Sequence, residues 1–249
     1  MTERFAPYQD LARFLLDAFD ADGTDGSHDL SHIVRVWRNA SRIARAEPSR
    51  IARAEPSRIA RAEPSRIAHA ESSRVARAEP ECDTELLLAA VILHDCVAVE
   101  KSSPLRAQAS RLSAARAREI VGKLGWAEDR VNRLAHAIET HSFSANLRPE
   151  TLEAKIMRDA DRLDAIGAIG VARCFHVGGR MGGALYHPGD PGAESRPLDD
   201  RAYALDHFPA KLFKVAEGFL TSEGQRMAAA RAALMTEFVA AFRAEVEGE

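Results

Sequence analysis

The sequence is poor in cysteine: its 249 residues include only Cys82, Cys96 and Cys174, and no two of them form a CxxC pair. That count and spacing exclude a disulfide framework and a zinc knuckle, and leave three reduced core thiols as the expectation. The chain also lacks any apolar run approaching the ~20 residues needed to span a bilayer, and its opening, MTERFAPYQD, has no signal-peptide core. A cytoplasmic protein with no membrane partner is therefore expected. Nor is there an excess of one charge. The formal net charge of −3 gives no global field for nucleic acid or an anionic surface. With 46% hydrophobic and 29% charged residues, the composition suits one globular domain over 1–249.

An alternating strand pattern is absent as well. Nearly every patterned segment has helical spacing, which makes the fold class all-α. Leu11, Phe14, Leu15 and Phe19 share one face of residues 7–19. Ser27 and Asp29 are good starters for the helix that begins LSHIVRVW. Asp83 and Thr84 can cap ELLLAAVILHD, whose near-continuous hydrophobicity marks a central helix buried on most sides. Further helices are expected at about 112–124 and 129–141. A long helical segment follows Pro149, then a Gly- and Pro-rich loop over 177–197, and two amphipathic helices near 208–220 and 224–245. The Phe-rich last helices read as core or as the face of a homodimer.

One tract breaks this pattern. RIARAEPS occurs at 42–49, 50–57 and 58–65, then decays to RIAHAESS and RVARAEP by residue 80. A period of eight advances a helix by roughly 80° past two turns, so these copies cannot keep one apolar stripe. Pro48, Pro56, Pro64 and Pro80 would each cost about 3 kcal/mol inside a continuous helix. Residues 48–79 are therefore read as a looped-out octapeptide insertion, which solvated loops accept at small entropic cost. Most copies carry two Arg against one Glu, which leaves an arm that contacts RNA or a protein partner as the rival reading of the tract.

The chemistry concentrates on four residues. His32 lies on the second helix, His94 and Asp95 end the buried helix as VILHD, and Asp161 sits in MRDADRLD. An unpaired carboxylate at the end of so apolar a run would be expensive, and a cation would offset that cost. Two His and two Asp form an N/O set that suits one divalent ion among Mn, Fe, Ni, Co and Mg, with Mn favoured. Asp159 is the alternative to Asp161, two residues away on another helix face.

The order H…HD…D, with SHDLSHIVRV, LLAAVILHDCVAVEKSSPLRAQASRLSA, AIETHSFSA and PETLEAKIMRDADRLDAIGAIGVARCF, resembles the HD-domain phosphohydrolases, in particular their bacterial YedJ-like group. Removing four octapeptide copies shortens the His32–His94 spacing from 62 residues to 30, about what such domains show. The resemblance implies an HD-type helical bundle with added C-terminal helices, and maps His32, His94, Asp95 and Asp161 to the metal ligands.

It also implies hydrolysis at phosphorus, with a small phosphorylated substrate and no nucleic acid as partner. The expected substrate is a (deoxy)nucleoside triphosphate, cleaved by pyrophosphohydrolase or triphosphohydrolase action. A 5′-nucleotidase or another phosphoesterase is the enzymatic alternative, and a non-catalytic metal-binding regulatory module using the repeat arm is the other. Besides Asp95, candidate catalytic groups are His28, one turn before His32, and Glu100; Asp164 shares with Glu100 the role of orienting water. Candidate substrate contacts are Arg35, Lys101, Arg106, His141, Arg162 and Tyr186. HDCVAVEK has Ala98 and Val99 where the guanosine tetraphosphate hydrolases carry an acidic pair, which argues against that activity.

Overall fold

The computed structural model describes residues 2–17, 30–54, 82–99, 103, 105–142 and 145–248, with the backbone alone at 48–54 and 106. Its helices are α1 (Gln9–Asp17), α2 (Leu30–Ala54), α3 (Thr84–Leu93), α4 (Ala109–Gly122), α5 (Glu128–His141), α6 (Leu152–Asp164) and α7 (Gly167–Arg180). A π-helical turn over Phe208–Leu212 then leads into α8 (Phe213–Val215), and α9 (Ser222–Glu247) closes the chain. Among the described residues the sole β pairing is an isolated bridge between Ala184 and Tyr203. The fold is all-α.

The pillar of the bundle is α3. Every residue from Leu86 to Leu93 is fully buried, because LLLAAVIL offers no polar side chain that must reach water. Burying each large side chain there contributes about 1.5–3 kcal/mol. Helices α1, α2, α5 and α6 all pack on it. Its start is fixed by Asp83, which accepts from Leu86 N at 3.0 Å and is held in turn by Arg130 of α5. Capping by a carboxylate suits the positive end of the helix. The opposite end of α3 consequently delivers His94 and Asp95 to a fixed place.

Two short-range details lock the later helices. The segment after Pro149 is divided, with α6 ending at Asp164 and α7 starting at Gly167, whose φ of +74° only glycine adopts freely. A Cβ there would also lie 2.9 Å from the Arg231 side chain of α9. At the start of α9, Gly224 leaves room for Asp159, since a Cβ would come within 2.6 Å of Asp159 Oδ2. Phe175, Phe208, Phe238 and Phe242 stack between α7, the π-helical turn and α9, and bury the C-terminal helices against one another.

Three sequence expectations need correcting. α2 runs through Pro48 to Ala54 as one helix, whereas residues 48–79 were read as looped out in short helical pieces. A single proline removes one hydrogen bond, and the turns before it are already anchored in the core by Val36, Ala40 and Ile43. The single helix expected after Pro149 is two, for the reason given at Gly167. The last helix pair starts as a π-helical turn and breaks after Val215, with Gly218 at φ +70°. Residues 55–81, most of the repeat tract, lie outside the described residues.

Candidate metal centre

Four helices meet at one point. His32 comes from the first turn of α2, His94 and Asp95 from the end of α3, His141 from the last residue of α5, and Asp161 from α6. His32 Nε2 lies 3.2 Å from His94 Nε2 and 3.4 Å from Asp161 Oδ1. His94 Nε2 lies 3.5 Å from Asp95 Oδ2 and 3.8 Å from Asp161 Oδ1. His141 Nε2 is 3.7 Å from Asp95 Oδ1. Two overlapping trios result, His32–His94–Asp161 and His94–Asp95–His141, each with its ligand atoms within 4.8 Å of one another.

The tautomers follow from the partners. His94 Nδ1 is 2.8 Å from the Val91 carbonyl and His141 Nδ1 is 2.6 Å from the Ile138 carbonyl. A carbonyl only accepts, so both Nδ1 atoms carry hydrogen and both Nε2 atoms present lone pairs. His32 Nδ1 meets Asp164 Oδ2 at 2.7 Å, which leaves its Nε2 facing that of His94. Two buried lone pairs 3.2 Å apart repel unless a proton or a cation lies between them. Donors bound about 2.1 Å from one ion sit roughly 3.0–3.4 Å apart in octahedral or tetrahedral arrangements, close to the separations found here. The side chains present therefore fit a divalent cation.

Asp164 is the support behind this set. It is buried, and it accepts Arg35 through two bonds of 2.6 and 3.0 Å while receiving His32. Burial alone would raise its pKa, yet the bonds from His32 and Arg35 hold it well below the usual carboxylate range. Burial likewise works to lower the pKa of His32, but Asp164 and then the charges of Asp161 and Asp95 prevail and raise it. His94 is different: burial prevails over Asp95 and pushes it down to about 4, so it is neutral and able to ligate.

The remaining expected residues divide clearly. Asp159, the alternative ligand, faces away and accepts from Leu220 N, Thr221 N and Thr221 Oγ1 at 2.7–3.1 Å, holding the start of α9. Arg162 donates to the carbonyls of Val215 and Glu217 and lies over the Phe219 ring, so it secures the α8–α9 connection. Arg35 is held by Asp164, and Tyr186 packs edge-on against Phe242 in the aromatic cluster. His28, Glu100 and Lys101 lie outside the described residues, as does the side chain of Arg106, whose backbone belongs to a short 3-10 turn.

One cation escaped the sequence reading. Arg173 of α7 approaches Asp164 Oδ2 at 3.8 Å, a contact created by the corner between α6 and α7. Arg158 stands one turn before Asp161, with a buried Nε that has no hydrogen-bond partner among the described residues. Its i,i+3 spacing makes it a candidate ion-pair partner of Asp161 in the sequence.

An all-α bundle with this N/O donor set at a buried helix end defines a metal-dependent hydrolase. The chain belongs to the HD domain family, which is matched over residues 29–166. It is 30% identical over 172 residues to the YpgQ protein of Bacillus subtilis (strain 168), covering 68% of this chain and 76% of that protein. The crystal structure of Bacillus subtilis YpgQ in complex with ADP superposes with a TM-score of 0.62 at 24% identity, over 95% of this chain and 98% of that one. An HD-superfamily hydrolase from Bacillus thuringiensis gives a TM-score of 0.65 at 23% identity, over 97% and 98%.

Proposed function

We propose that the chain is a phosphohydrolase of nucleotides, with (deoxy)nucleoside triphosphates as substrates and Mn²⁺ as the favoured ion. The observation that carries this reading is the pair of inward Nε2 lone pairs on His32 and His94, flanked by the Asp95 and Asp161 carboxylates. The ADP found in the YpgQ structure supports a nucleotide as the ligand class. The motifs around His32, His94 and Asp161 resemble those of the YedJ-like group, and membership of that group is part of this proposal.

His32, His94, Asp95 and Asp161 are assigned as ligands. A divalent ion held by them supplies Lewis-acid polarisation of a phosphoryl oxygen and activation of water. The histidines are sealed, with His32 and His94 each 1% exposed, whereas the Asp95 and Asp161 side chains are 32% and 25% exposed. Substrate therefore approaches from the carboxylate side. His141 Nε2 borders that opening beside Asp95 and can hold or pass a proton there. Asp164 fixes the ring of His32, and Arg35 fixes Asp164. We take the repeat tract to be an insertion that the reaction does not need.

The test gives purified protein Mn²⁺ and a panel of nucleoside mono-, di- and triphosphates, beside Asp95→Ala. Metal-dependent turnover is expected in the parent and absent in the variant. Pyrophosphate or triphosphate as product identifies the bond cleaved, whereas inorganic phosphate from monophosphates alone would replace this reading with a 5′-nucleotidase.

A further inference from the structure

Arg231 of α9 reaches in behind the metal centre. Its guanidinium donates through Nη1 to the Leu163 carbonyl of α6, and through Nη2 to Asn39 Oδ1 of α2 at 3.0 Å. Asn39 is buried and donates in turn to the Ala160 carbonyl of α6 at 3.1 Å. The stem of Arg231 fills the corner at Gly167, where a Cβ would lie 2.9 Å from its Cγ. One side chain of α9 thus ties α2, α6 and the start of α7 together.

The two carbonyls engaged by this pair belong to the residues immediately before Asp161 and Asp164. Leu163 lies in the last turn of α6, where carbonyls lack helical donors and a cation is favoured. Asn39 is seven residues past His32, about two turns along the same face of α2 and roughly 10 Å away along the axis. The bonds therefore hold α2 and α6 in one register, and that register sets the 3.4 Å between His32 Nε2 and Asp161 Oδ1. Burial works against the guanidinium and lowers its pKa, while the Asp164 charge opposes that. Apolar side chains could seal the same junction without this penalty. What the guanidinium adds is direction, since its planar fork meets acceptors on two helices at once.

We propose, on the ligand assignment made above, that Arg231 acts with Asn39 as a positioning residue of the metal centre. The pair holds the backbone that carries Asp161 and Asp164 in register with His32, and acts on the ion only through these helices.

The experiment is equilibrium dialysis of the full chain against graded Mn²⁺, beside Arg231→Met, Asn39→Ala, Asp159→Ala and Asp161→Ala. Circular dichroism fixes a temperature at which each is folded. Arg231→Met keeps the stem against Gly167 and removes the fork. About tenfold weaker binding is expected in Arg231→Met and in Asn39→Ala. Asp159→Ala loosens the start of α9 without touching α2 or a ligand, and should bind as the parent does, so lost stability is not mistaken for lost position. Unchanged binding by Arg231→Met or by Asn39→Ala, or an equal loss in Asp159→Ala, would overturn the role. If Arg231→Met does not fold, Asn39→Ala decides alone. Parent-like binding by Asp161→Ala would instead overturn the ligand assignment itself, an outcome distinct from its losing the ion while Arg231→Met keeps it.

Discussion

Asp159 and Asp161 are two residues apart on α6, and the fold puts them to opposite uses. Asp159 turns toward α9, is fully buried, and has its lone pairs taken by one hydroxyl and two backbone N–H groups. Burial pushes its pKa up despite these donors, so its place is set by the N–H groups it satisfies. Asp161 turns toward α2 and α3, stays a quarter exposed, and faces two histidine Nε2 atoms. The lesson is one of partners. A carboxylate whose lone pairs are used by backbone is structural, and one left facing imidazole nitrogens is free to ligate.

Breaking the comparison at Asp161 should have the largest effect. Asp161→Ala is expected to weaken Mn²⁺ binding by at least about 100-fold, since loss of even a supporting partner of a ligand costs about 10–100-fold. Its melting temperature without metal should stay near that of the parent, because the side chain is partly solvated. Asp159→Ala should do the reverse. Leaving the buried donors at Leu220 and Thr221 unsatisfied costs about 2–4 kcal/mol, read as a fall of about 5–15 °C in melting temperature. Metal binding by the folded variant should be unchanged.

Asp164→Asn sharpens the contrast from behind the site. It keeps the shape but removes the charge that holds Arg35 and the ring of His32, and a loss of about 10–100-fold in metal affinity is expected by equilibrium dialysis. Gly224→Ala probes the structural side alone. The added methyl meets Asp159 and Thr221, and should cost about 1–3 kcal/mol in urea unfolding with metal affinity intact. Deleting residues 48–79 should have the smallest effect, within about twofold on turnover. A large loss would favour the reading of the tract as a functional arm.

The comparison also shows what a sequence discloses. α3 was legible because LLLAAVIL admits no exposed face, and its final His94–Asp95 pair is local. The direction of Asp161 over Asp159 was legible only through the H…HD…D order, since spacing on a helix does not say which face meets which neighbour. Arg35 and Arg162 read as cations available to substrate. Their commitments, to Asp164 129 residues away and to the carbonyls of Val215 and Glu217 more than 50 residues away, are tertiary contacts that no local pattern encodes. The break at Gly167 was missed because helical periodicity continues across it, while the constraint comes from Arg231 of α9. His141 was placed near the site, but its role beside Asp95 depends on the Ile138 carbonyl fixing its ring.

The most direct measurement is the metal content of the parent, Asp161→Ala and Asp159→Ala after dialysis against limiting Mn²⁺, with folding checked by circular dichroism. The account predicts one ion per chain in the parent and in folded Asp159→Ala, and none in Asp161→Ala. Metal retained by Asp161→Ala and lost from folded Asp159→Ala would contradict it.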